Sequence, residues 1–271
     1  MTVLRRRDLP PLLRAIHDPP GRLYLRGKGD QDLLVRPTVA IVGARACSPY
    51  GAQVARMLGR ELAAVGIVVV SGLARGIDGE AHRGALETDG HTVAVLGCGI
   101  DRDYPAAHSG LARAVAERSL LVSEYEPGVE PAPWRFPARN RIIAGLCAVT
   151  VVVEARERSG ALITADFALE EGREVFAVPG EITSRLSAGT NALLRLGATP
   201  ITCAADVLEA LGIAPPNPQP TNEHPLLDLL PATADEIVRG SGLPASEVAA
   251  VLAELEIAGL AAEGDGVFRC R

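Results

Sequence analysis

Short runs of aliphatic and β-branched residues alternate with helix-length segments through most of this 271-residue chain. Strands are predicted at residues 39–42, 67–70, 92–96, 120–123, 149–153 and 174–178, with a weaker one at 199–202. Helices are predicted between them, at 51–65, 77–88, 110–118, 161–171 and 191–196. In the first helix, Val54, Met57, Leu58 and Leu62 follow the apolar spacing of one helix face. This alternation predicts the α/β class, with a doubly wound, Rossmann-like, mostly parallel sheet.

Composition divides the chain into four segments. Prolines and glycines interrupt residues 1–35, which we interpret as an N-terminal extension before a Rossmann-like domain at 36–212. Residues 213–222 hold four prolines and are predicted to be a linker. In the last segment, 223–271, helices predicted at 234–239 and 244–257 precede a hairpin with glycines at its tip. That order predicts a small winged-helix domain.

The acidic excess of the chain lies in the last segment. The net charge is −6, and residues 223–271, with nine acids and three arginines, account for all of it. Lys28 is the single lysine, so arginine carries nearly all the positive charge. Residues 1–222 are balanced overall, and they can therefore hold a local basic patch despite the acidic total.

Several function classes find little support in the sequence. The five cysteines are widely spaced and the histidines lack metal-binding spacing, so neither a disulfide framework nor a metal site is expected. Gly97-Cys98-Gly99 begins like a dinucleotide fingerprint, but Arg102 occupies the third glycine position, and no cofactor is predicted. No apolar stretch approaches the roughly 18 residues of a membrane span. No secretory signal is evident either, which predicts a cytoplasmic protein without membrane partners.

Glycine and arginine follow the predicted strands, at the sheet edge where α/β proteins bind ligands. The candidates are Gly43 and Arg45 after the first strand, Ser71, Gly72, Arg75 and Gly76 after the second, Gly99 after the third, and Ser159 and Gly160 after the fifth. Glycine lets backbone N–H groups approach a phosphate, and arginine can clamp one. The alternative is that turns between strands and helices simply need glycine.

A second cluster combines arginine with aromatic rings. It spans residues 134–143 and contains Trp134, Phe136 and three arginines but no acid. Arginines that track phosphates, together with a ring on which a base stacks, are typical of single-strand binding. The alternative is that these arginines pair with nearby acids such as Glu124, Glu126 and Glu154.

Short motifs in a fixed order resemble those of one family. They include Ile41-Val42-Gly43-x-Arg45, Ser71-Gly72-Leu73-Ala74-x-Gly76-Ile77-Asp78, Tyr104-Pro105, Phe136-Pro137-x-Arg139-Asn140-Arg141 and Ser159-Gly160-x-Leu162-Ile163-Thr164. In this order they are similar to the DNA-processing protein A family (DprA, also called Smf) over about residues 10–212. The family usually has an N-terminal helical domain, which we expect to be absent here except for its junction within residues 1–35.

The resemblance implies a protein that binds incoming single-stranded DNA during natural transformation, protects it and helps load the RecA recombinase. It implies a homodimer that is not an enzyme and needs no cofactor. Arg45 would clamp a phosphate, Phe136 would stack on a base, and the loop from Ser71 to Ile77 would supply backbone amides and Arg75. The other residues implied to line the pocket are Arg139, Asn140, Arg141, Ser159 and Gly160. Arg135 is expected to replace a lysine that many members carry where this chain has Pro133.

The C-terminal segment resembles the optional winged helix of the family. Its second predicted helix carries Glu247, Glu254 and Glu256 but no lysine or arginine. Because phosphate contacts supply most DNA affinity, an acidic helix should be repelled by DNA. We therefore expect this domain to contact protein rather than duplex DNA.

Leu193, Leu194 and Leu196 lie on one short predicted helix and cannot all face the sheet, so we expect Leu193 and Leu194 to contribute to a dimer contact. The main alternative function is a nucleotide-processing enzyme similar to the phosphoribohydrolases. Those enzymes carry a Pro-Gly-Gly-x-Gly-Thr loop, and the nearest segment here, residues 159–164, lacks the run of glycines. A protein-interaction scaffold is a further alternative.

Overall fold

The structure is a computed structural model that describes residues 1–214, 225–257, 260–264 and 266–270. It contains two compact units, Met1–Pro215 and Pro216–Arg271. The predicted linker at 213–222 lies mostly outside the described residues. No helix within the described ranges is long and apolar enough to cross a membrane.

The first unit contains a nine-stranded sheet. Its strands are β1 (Thr2–Arg5), β2 (Arg22–Arg26), β3 (Thr38–Val42), β4 (Val68–Ser71), β5 (Thr92–Leu96), β6 (Leu120–Ser123), β7 (Val149–Val152), β8 (Glu174–Ala177) and β9 (Thr199–Pro200). The spatial order is β1-β2-β6-β5-β4-β3-β7-β8-β9. All pairs from β6 to β9 are parallel, whereas β1–β2 and β2–β6 are antiparallel. The predicted mostly parallel, doubly wound sheet is confirmed.

Helices cover both faces of this sheet. They are α1 (Pro11–Arg14), α2 (Pro49–Ala64), α3 (Ile77–Leu86), α4 (Ser109–Arg118), α5 (Arg135–Leu146), α6 (Gly160–Glu170), α7 (Ala188–Arg195) and α8 (Ala204–Ala210). Successive strand residues point to opposite faces. Ala40 and Val42 pack in one core with α5 and α6, while Val39 and Ile41 pack in another with α2 and α3. Strands buried on both faces explain the continuous aliphatic runs in the sequence.

Residues 1–35 are not an appendage to this sheet. They supply its two antiparallel strands, β1 and β2, and fall within the same compact unit as residues 36–212. Leu23 and Leu25 on β2 are buried in the core that also receives Leu13 of α1. β1 and β2 are short, and Pro10-Pro11 and Pro19-Pro20 lie between them. The periodicity of the sequence therefore did not predict these two strands.

The described residues of the second unit form a three-stranded antiparallel sheet and two α-helices. Its elements are β10 (Ala232–Thr233), α9 (Ala234–Ser241), α10 (Ala245–Ile257), β11 (Ala261–Gly264) and β12 (Val267–Cys270), with strand order β10-β12-β11. Thr233 and Glu236 form a capping box that starts α9, and Gly242 turns the chain toward α10 with φ +69°. Ile237, Val248 and Leu252 form its core. The predicted winged helix is confirmed.

Candidate nucleic-acid interface

The strand order reverses between β3 and β7, which are neighbours in the sheet but far apart in sequence. From β3 the chain builds the sheet outward through β4 and β5 to β6, and it then returns to add β7 beside β3. Loops leaving the two strands diverge at such a point and open a crevice at the carboxyl ends of the strands. A cavity of about 430 Å³ lies there, lined by the loops after β3 and β7 and by the first turns of α5 and α6.

Glu154, two residues after the end of β7, holds the loop that follows β3. Its backbone oxygen accepts the N–H of Ala44 at 2.8 Å. Its buried carboxylate accepts the N–H of Ser48 at 2.9 Å and the Ser48 hydroxyl at 2.5 Å. The Ser48 oxygen in turn caps α2 by accepting the N–H of Gly51. A side chain at Gly51 would overlap the Glu154 carboxylate, so glycine is required there.

Half of the predicted site residues meet in this cavity: Gly43, Arg45, Phe136, Arg139, Asn140, Ser159 and Gly160. Asn140 connects two of the contributing elements, because its side-chain amide donates to the backbone oxygen of Gly160 at 3.0 Å. Ser159 caps α6 by accepting the N–H of Ala161 at 3.3 Å. The amino terminus of α6 therefore borders the cavity, where its dipole favours a negatively charged ligand.

Arg139 is only 4% exposed and forms part of the cavity wall. Its guanidinium donates to the backbone oxygens of Gly72, at 2.8 Å, and of Val95, and its Nε donates to the Asn140 side chain. Burial lowers the pKa of Arg139 to about 10, with the charge of Asp78 acting in the opposite direction. The guanidinium therefore stays charged at neutral pH and contributes a positive charge to the cavity wall.

Asp78 is the one acidic residue among the described residues that line the cavity. Its carboxylate accepts the N–H groups of Gly72 at 3.1 Å and Ala74 at 3.4 Å. Burial raises the pKa of Asp78, while Arg139 and the two N–H groups oppose that rise. The backbone amides of Gly72 and Ala74, which the sequence suggested for a phosphate, are thus already bonded to Asp78.

Arg156 and Arg158 line the cavity as well, and the sequence analysis did not select them. Both follow β7 and are exposed, like Arg45. Within the described part of the chain, none of these three arginines has a carboxylate within 4.0 Å. The signal that could have identified the two missed arginines is their place after a strand next to the reversal of strand order.

Phe136 belongs to a stack of side chains at the rim of the cavity. Its ring lies 5.3 Å from that of Tyr104, centroid to centroid, with 23° between the ring planes. The guanidinium carbon of Arg45 lies 5.5 Å from the Phe136 centroid. A Cβ at Gly97 would collide with the Phe136 ring, so glycine after β5 makes room for it. Phe136 is therefore partly covered, and Tyr104, 43% exposed, offers more ring surface to solvent.

The end of β4 and the loop after it shape the site, although most of the predicted residues there do not line the cavity. The Ser71 hydroxyl is buried and donates to the backbone oxygen of Ile41. Gly76 has φ +73°, and a side chain there would overlap the backbone oxygen of Ala44. Arg75 is exposed but does not line the cavity. Ala74 and Asp78 are the residues of this segment that do.

Three further predicted residues lie outside the cavity lining. Arg141 is held by Glu124, at 2.7 Å, and by Asp18, at 2.9 Å. Of the two interpretations of the arginine cluster, pairing with local acids thus applies to Arg141. Arg135 lies between two aromatic rings, and Gly99 packs against the loop after β6, donating its N–H to Val129.

The leucines predicted for a dimer contact need a correction. Leu193 is 7% exposed and packs in the core, and Leu194 is partly buried against the same core. Leu196, one residue beyond α7, is instead 85% exposed. It borders a surface depression together with Ile163 of α6. Leu193 and Leu196 are three apart and would share one face of a continuous helix, but α7 ends at Arg195, and Leu196 therefore does not follow Leu193 into the core.

On the winged helix, α10 presents its acids to solvent: Glu247, Glu254 and Glu256 are all exposed. Glu256 also accepts the N–H of Glu263 in β11 at 3.0 Å. This helix therefore offers a negative surface.

A Rossmann-like sheet with an arginine-lined cavity at the reversal of its strand order defines an α/β protein suited to binding phosphate-bearing ligands. The family model of DNA recombination-mediator protein A matches residues 1–212, and that of the DprA winged helix domain matches residues 214–266. The chain belongs to the DNA recombination-mediator protein A family, which confirms the resemblance seen in the sequence.

Relatives and solved structures agree with this assignment. Protein Smf of Escherichia coli is 41% identical in a comparison that covers 97% of this chain and 75% of the relative. The X-ray structure of DprA from Streptococcus pneumoniae superimposes with a TM-score of 0.73 at 46% identity, covering 77% of this chain and 73% of that one. A Helicobacter pylori DprA structure, described by its single-stranded DNA binding mode, has a TM-score of 0.70 at 33% identity and covers 78% and 94%.

Proposed function

We propose that this chain binds single-stranded DNA in the arginine-lined cavity at the carboxyl edge of its sheet. On this proposal it protects the strand and helps to load RecA onto it, as a recombination mediator and not as an enzyme. The observation that carries the proposal is the group of three exposed arginines, Arg45, Arg156 and Arg158, that lack carboxylate partners among the described residues.

The charge of the cavity supports a polyanionic ligand. Among the described residues, four arginines and one acid line it, and the acid, Asp78, is buried and bonded to backbone N–H groups. The three exposed guanidiniums can each contact a phosphate, while buried Arg139 adds a fixed charge beneath them. A nucleotide chain with successive phosphates fits this arrangement better than a single small anion does.

The shape of the cavity supports a single strand rather than a duplex. A volume of about 430 Å³ admits a splayed nucleotide or two but not a double helix. Phe136 and Tyr104 provide ring surface at its rim for an unpaired base. The solved H. pylori relative, described as binding single-stranded DNA, supports the same ligand for this chain.

Two partners are part of the proposal. RecA is proposed because the chain belongs to a family of recombination mediators. A second copy of the chain is proposed because Leu196 and Ile163 form an exposed apolar patch between α6 and α7. The acidic face of α10 makes the winged helix a candidate for protein contacts rather than for duplex DNA.

Fluorescence anisotropy with labelled single-stranded and duplex oligonucleotides, over a series of salt concentrations, tests the function. We expect salt-dependent binding that prefers the single strand, weakened about tenfold by Arg45→Ala. Arg60→Ala is the matched control, because Arg60 is an exposed arginine on α2 outside the cavity. Absence of binding at low salt, or equal effects of the two substitutions, would contradict the proposal.

A further inference from the structure

Trp134 is the single tryptophan of the chain and is 62% exposed. It directly precedes α5, the helix that places Phe136, Arg139 and Asn140 at the cavity. A large ring left in solvent gains nothing from the hydrophobic core, and single exposed apolar residues are common on proteins. What makes this one informative is its immediate surroundings.

Arg135 stacks on the Trp134 ring. Its guanidinium carbon lies 4.7 Å from the centroid of Trp134 and 5.2 Å from that of Tyr125, in the loop after β6. Its Nη1 donates to the backbone oxygen of Glu130. No carboxylate of the described residues lies within 4.0 Å of it, so its charge is not neutralised by an ion pair. Because a guanidinium covers only one face of an indole, exposed ring surface remains for a base.

Arginines balance part of the negative charge of the acids near the Trp134 ring. Glu130, whose side chain is 68% exposed, pairs with Arg102 at 2.5 Å. Glu126 is exposed in the loop after β6. The charges of Arg135 and Arg102 balance those of Glu126 and Glu130, and the ring itself supplies the attraction for a base.

The platform continues the rim of the cavity along one sheet edge. The loops after β5 and β6 are joined, because Gly99 donates its N–H to Val129 and Gly128 donates its N–H to Asp101. Tyr104, which stacks on Phe136, belongs to the first of these loops, and Tyr125 belongs to the second. Aromatic rings thus follow one another from the cavity toward β6.

The surface on the other side of the cavity is less suited to a strand. Toward β8 and β9, Tyr50 is 53% exposed and borders a smaller cleft with Met57 and Pro179. No lysine or arginine of the described residues lines that cleft. A strand crossing this cleft would find a ring but no cation among the described residues of its lining, which favours the side of Trp134.

We propose that Trp134, stacked on Arg135, is a second base-binding platform, on which a base of the same single strand stacks after the strand leaves the cavity toward β6. This inference rests on the proposed function. It predicts a site longer than the cavity alone can hold, with Trp134 contacted by long oligonucleotides and not by short ones.

The lone tryptophan makes the test direct, since its fluorescence reports on its own stacking. The full-length protein is titrated with a thymidine dinucleotide and with an oligothymidine of about eight nucleotides, within the usual range of single-strand site sizes. We expect the longer probe to quench Trp134 in parallel with its anisotropy signal and the dinucleotide to leave it unquenched. Trp134→Ala should lower the affinity for the longer probe about tenfold, and Trp134→Phe should lower it less. Neither substitution should change the affinity for the dinucleotide.

Tyr50→Ala is the matched control, because it removes the exposed ring on the other side of the cavity. We expect it to bind both probes like the wild type. Binding of the longer probe without quenching, or wild-type affinity of Trp134→Ala, would overturn the inference and leave the cavity in place. Loss of affinity in Tyr50→Ala alone would assign the exit to the other side. If the wild type binds neither probe, the proposed function itself fails.

Discussion

The two units of this chain present opposite charges on the surfaces where each fold usually binds its ligand. In the first unit, Arg45, Arg156 and Arg158 surround a cavity without carboxylate partners among the described residues. In the second, the longer helix of the winged-helix fold exposes Glu247 and Glu254 and has neither lysine nor arginine. A winged helix that binds duplex DNA places such a helix against phosphates.

The difference teaches that the fold alone does not decide the ligand. The Rossmann-like sheet supplies a crevice because its strand order reverses, and arginines make that crevice attractive to phosphates. The winged helix supplies a protruding helix, and glutamates make it repel them. Four experiments test this contrast.

The largest effect is expected from removing the three exposed cavity arginines together. Arg45→Ala, Arg156→Ala and Arg158→Ala should together weaken single-strand binding on the order of a thousandfold, about 4 kcal/mol, because each substitution removes a cation that we propose binds a phosphate. The slope of log affinity against log salt should also become shallower, by about 0.7 for each phosphate that is no longer neutralised. Anisotropy over a series of salt concentrations measures both quantities.

An equal loss of charge elsewhere is the control. Arg36, Arg60 and Arg113 are exposed and have no carboxylate within 4.0 Å among the described residues. Their joint replacement by alanine lowers the net charge equally but should change affinity by less than about threefold. If both triple variants lose affinity alike, net charge rather than the cavity attracts the strand.

A smaller effect, on stability, is expected from two glycines that share a positive φ but differ in ψ, which is −130° at Gly76 and 6° at Gly242. Gly76→Ala, at φ +73°, adds a methyl group that overlaps the backbone oxygen of Ala44 and should lower the free energy of unfolding by about 3 kcal/mol. Gly242→Ala in the winged helix, at φ +69°, meets open space and should lose only about 1 kcal/mol. Urea denaturation compares the two. Equal losses would show that neither the contact with Ala44 nor the ψ of Gly76 adds to the cost of a positive φ.

Acid should weaken the first unit through His82. This buried ring contacts the Thr92 hydroxyl through Nδ1 at 2.7 Å, and burial lowers its pKa from 6.5 to about 3. In the unfolded chain His82 therefore binds a proton near pH 6.5, whereas in the folded chain it stays neutral until the pH is near 3. The free energy of unfolding therefore has its full value above pH 6.5. It decreases as the pH falls, by about 2 kcal/mol at pH 5, because protonation of His82 favours the unfolded chain.

Denaturation of wild type and His82→Asn between pH 7.5 and 5 separates this effect from others. The raised pKa of Asp78 acts with the opposite sign on acidification, but it is common to both proteins and cancels in their difference. We expect the stability of His82→Asn to vary less with pH than that of wild type. Identical pH dependence in both proteins would remove His82 as the cause.

The smallest effect is expected in the second unit. Glu247→Gln, Glu254→Gln and Glu256→Gln together should leave single-strand affinity within about twofold of wild type or raise it slightly, because the acids contact no phosphate. Anisotropy at moderate salt measures this. Lysine at the same three positions should create weak, salt-sensitive duplex binding. A large loss of single-strand affinity in the glutamine variant would show that the winged helix takes part in binding.

Arg139 and Arg141 illustrate how far the sequence predicts the site. They lie two residues apart in one motif, and the sequence assigned both to the pocket. Arg139 is buried in the cavity wall, whereas Arg141 is held by Glu124 and Asp18. Residues two apart on a helix face different directions, and the acids that hold Arg141 come from distant segments. Only the folded chain brings them together.

The edge of the sheet gives the same lesson for the fold. The parallel strands were predictable because burial on both faces requires continuous aliphatic runs. β1 and β2 were not predictable, because they are short, are separated by prolines and lack that pattern. The place of β2 depends on its pairing with β6, about a hundred residues away in sequence, and β1 pairs with β2.

The sequence by itself determined the α/β class, the winged helix, the family and the excess of arginine near the strand ends, since these follow from periodicity, motif order and composition. The tertiary structure decided which arginines face the cavity. Arg156 and Arg158 line the cavity, whereas Arg135 stacks on aromatic rings and Arg141 forms ion pairs outside it. The physical reason is that periodicity is a local property of the chain, whereas burial, ion pairing and stacking depend on neighbours that only the assembled sheet provides.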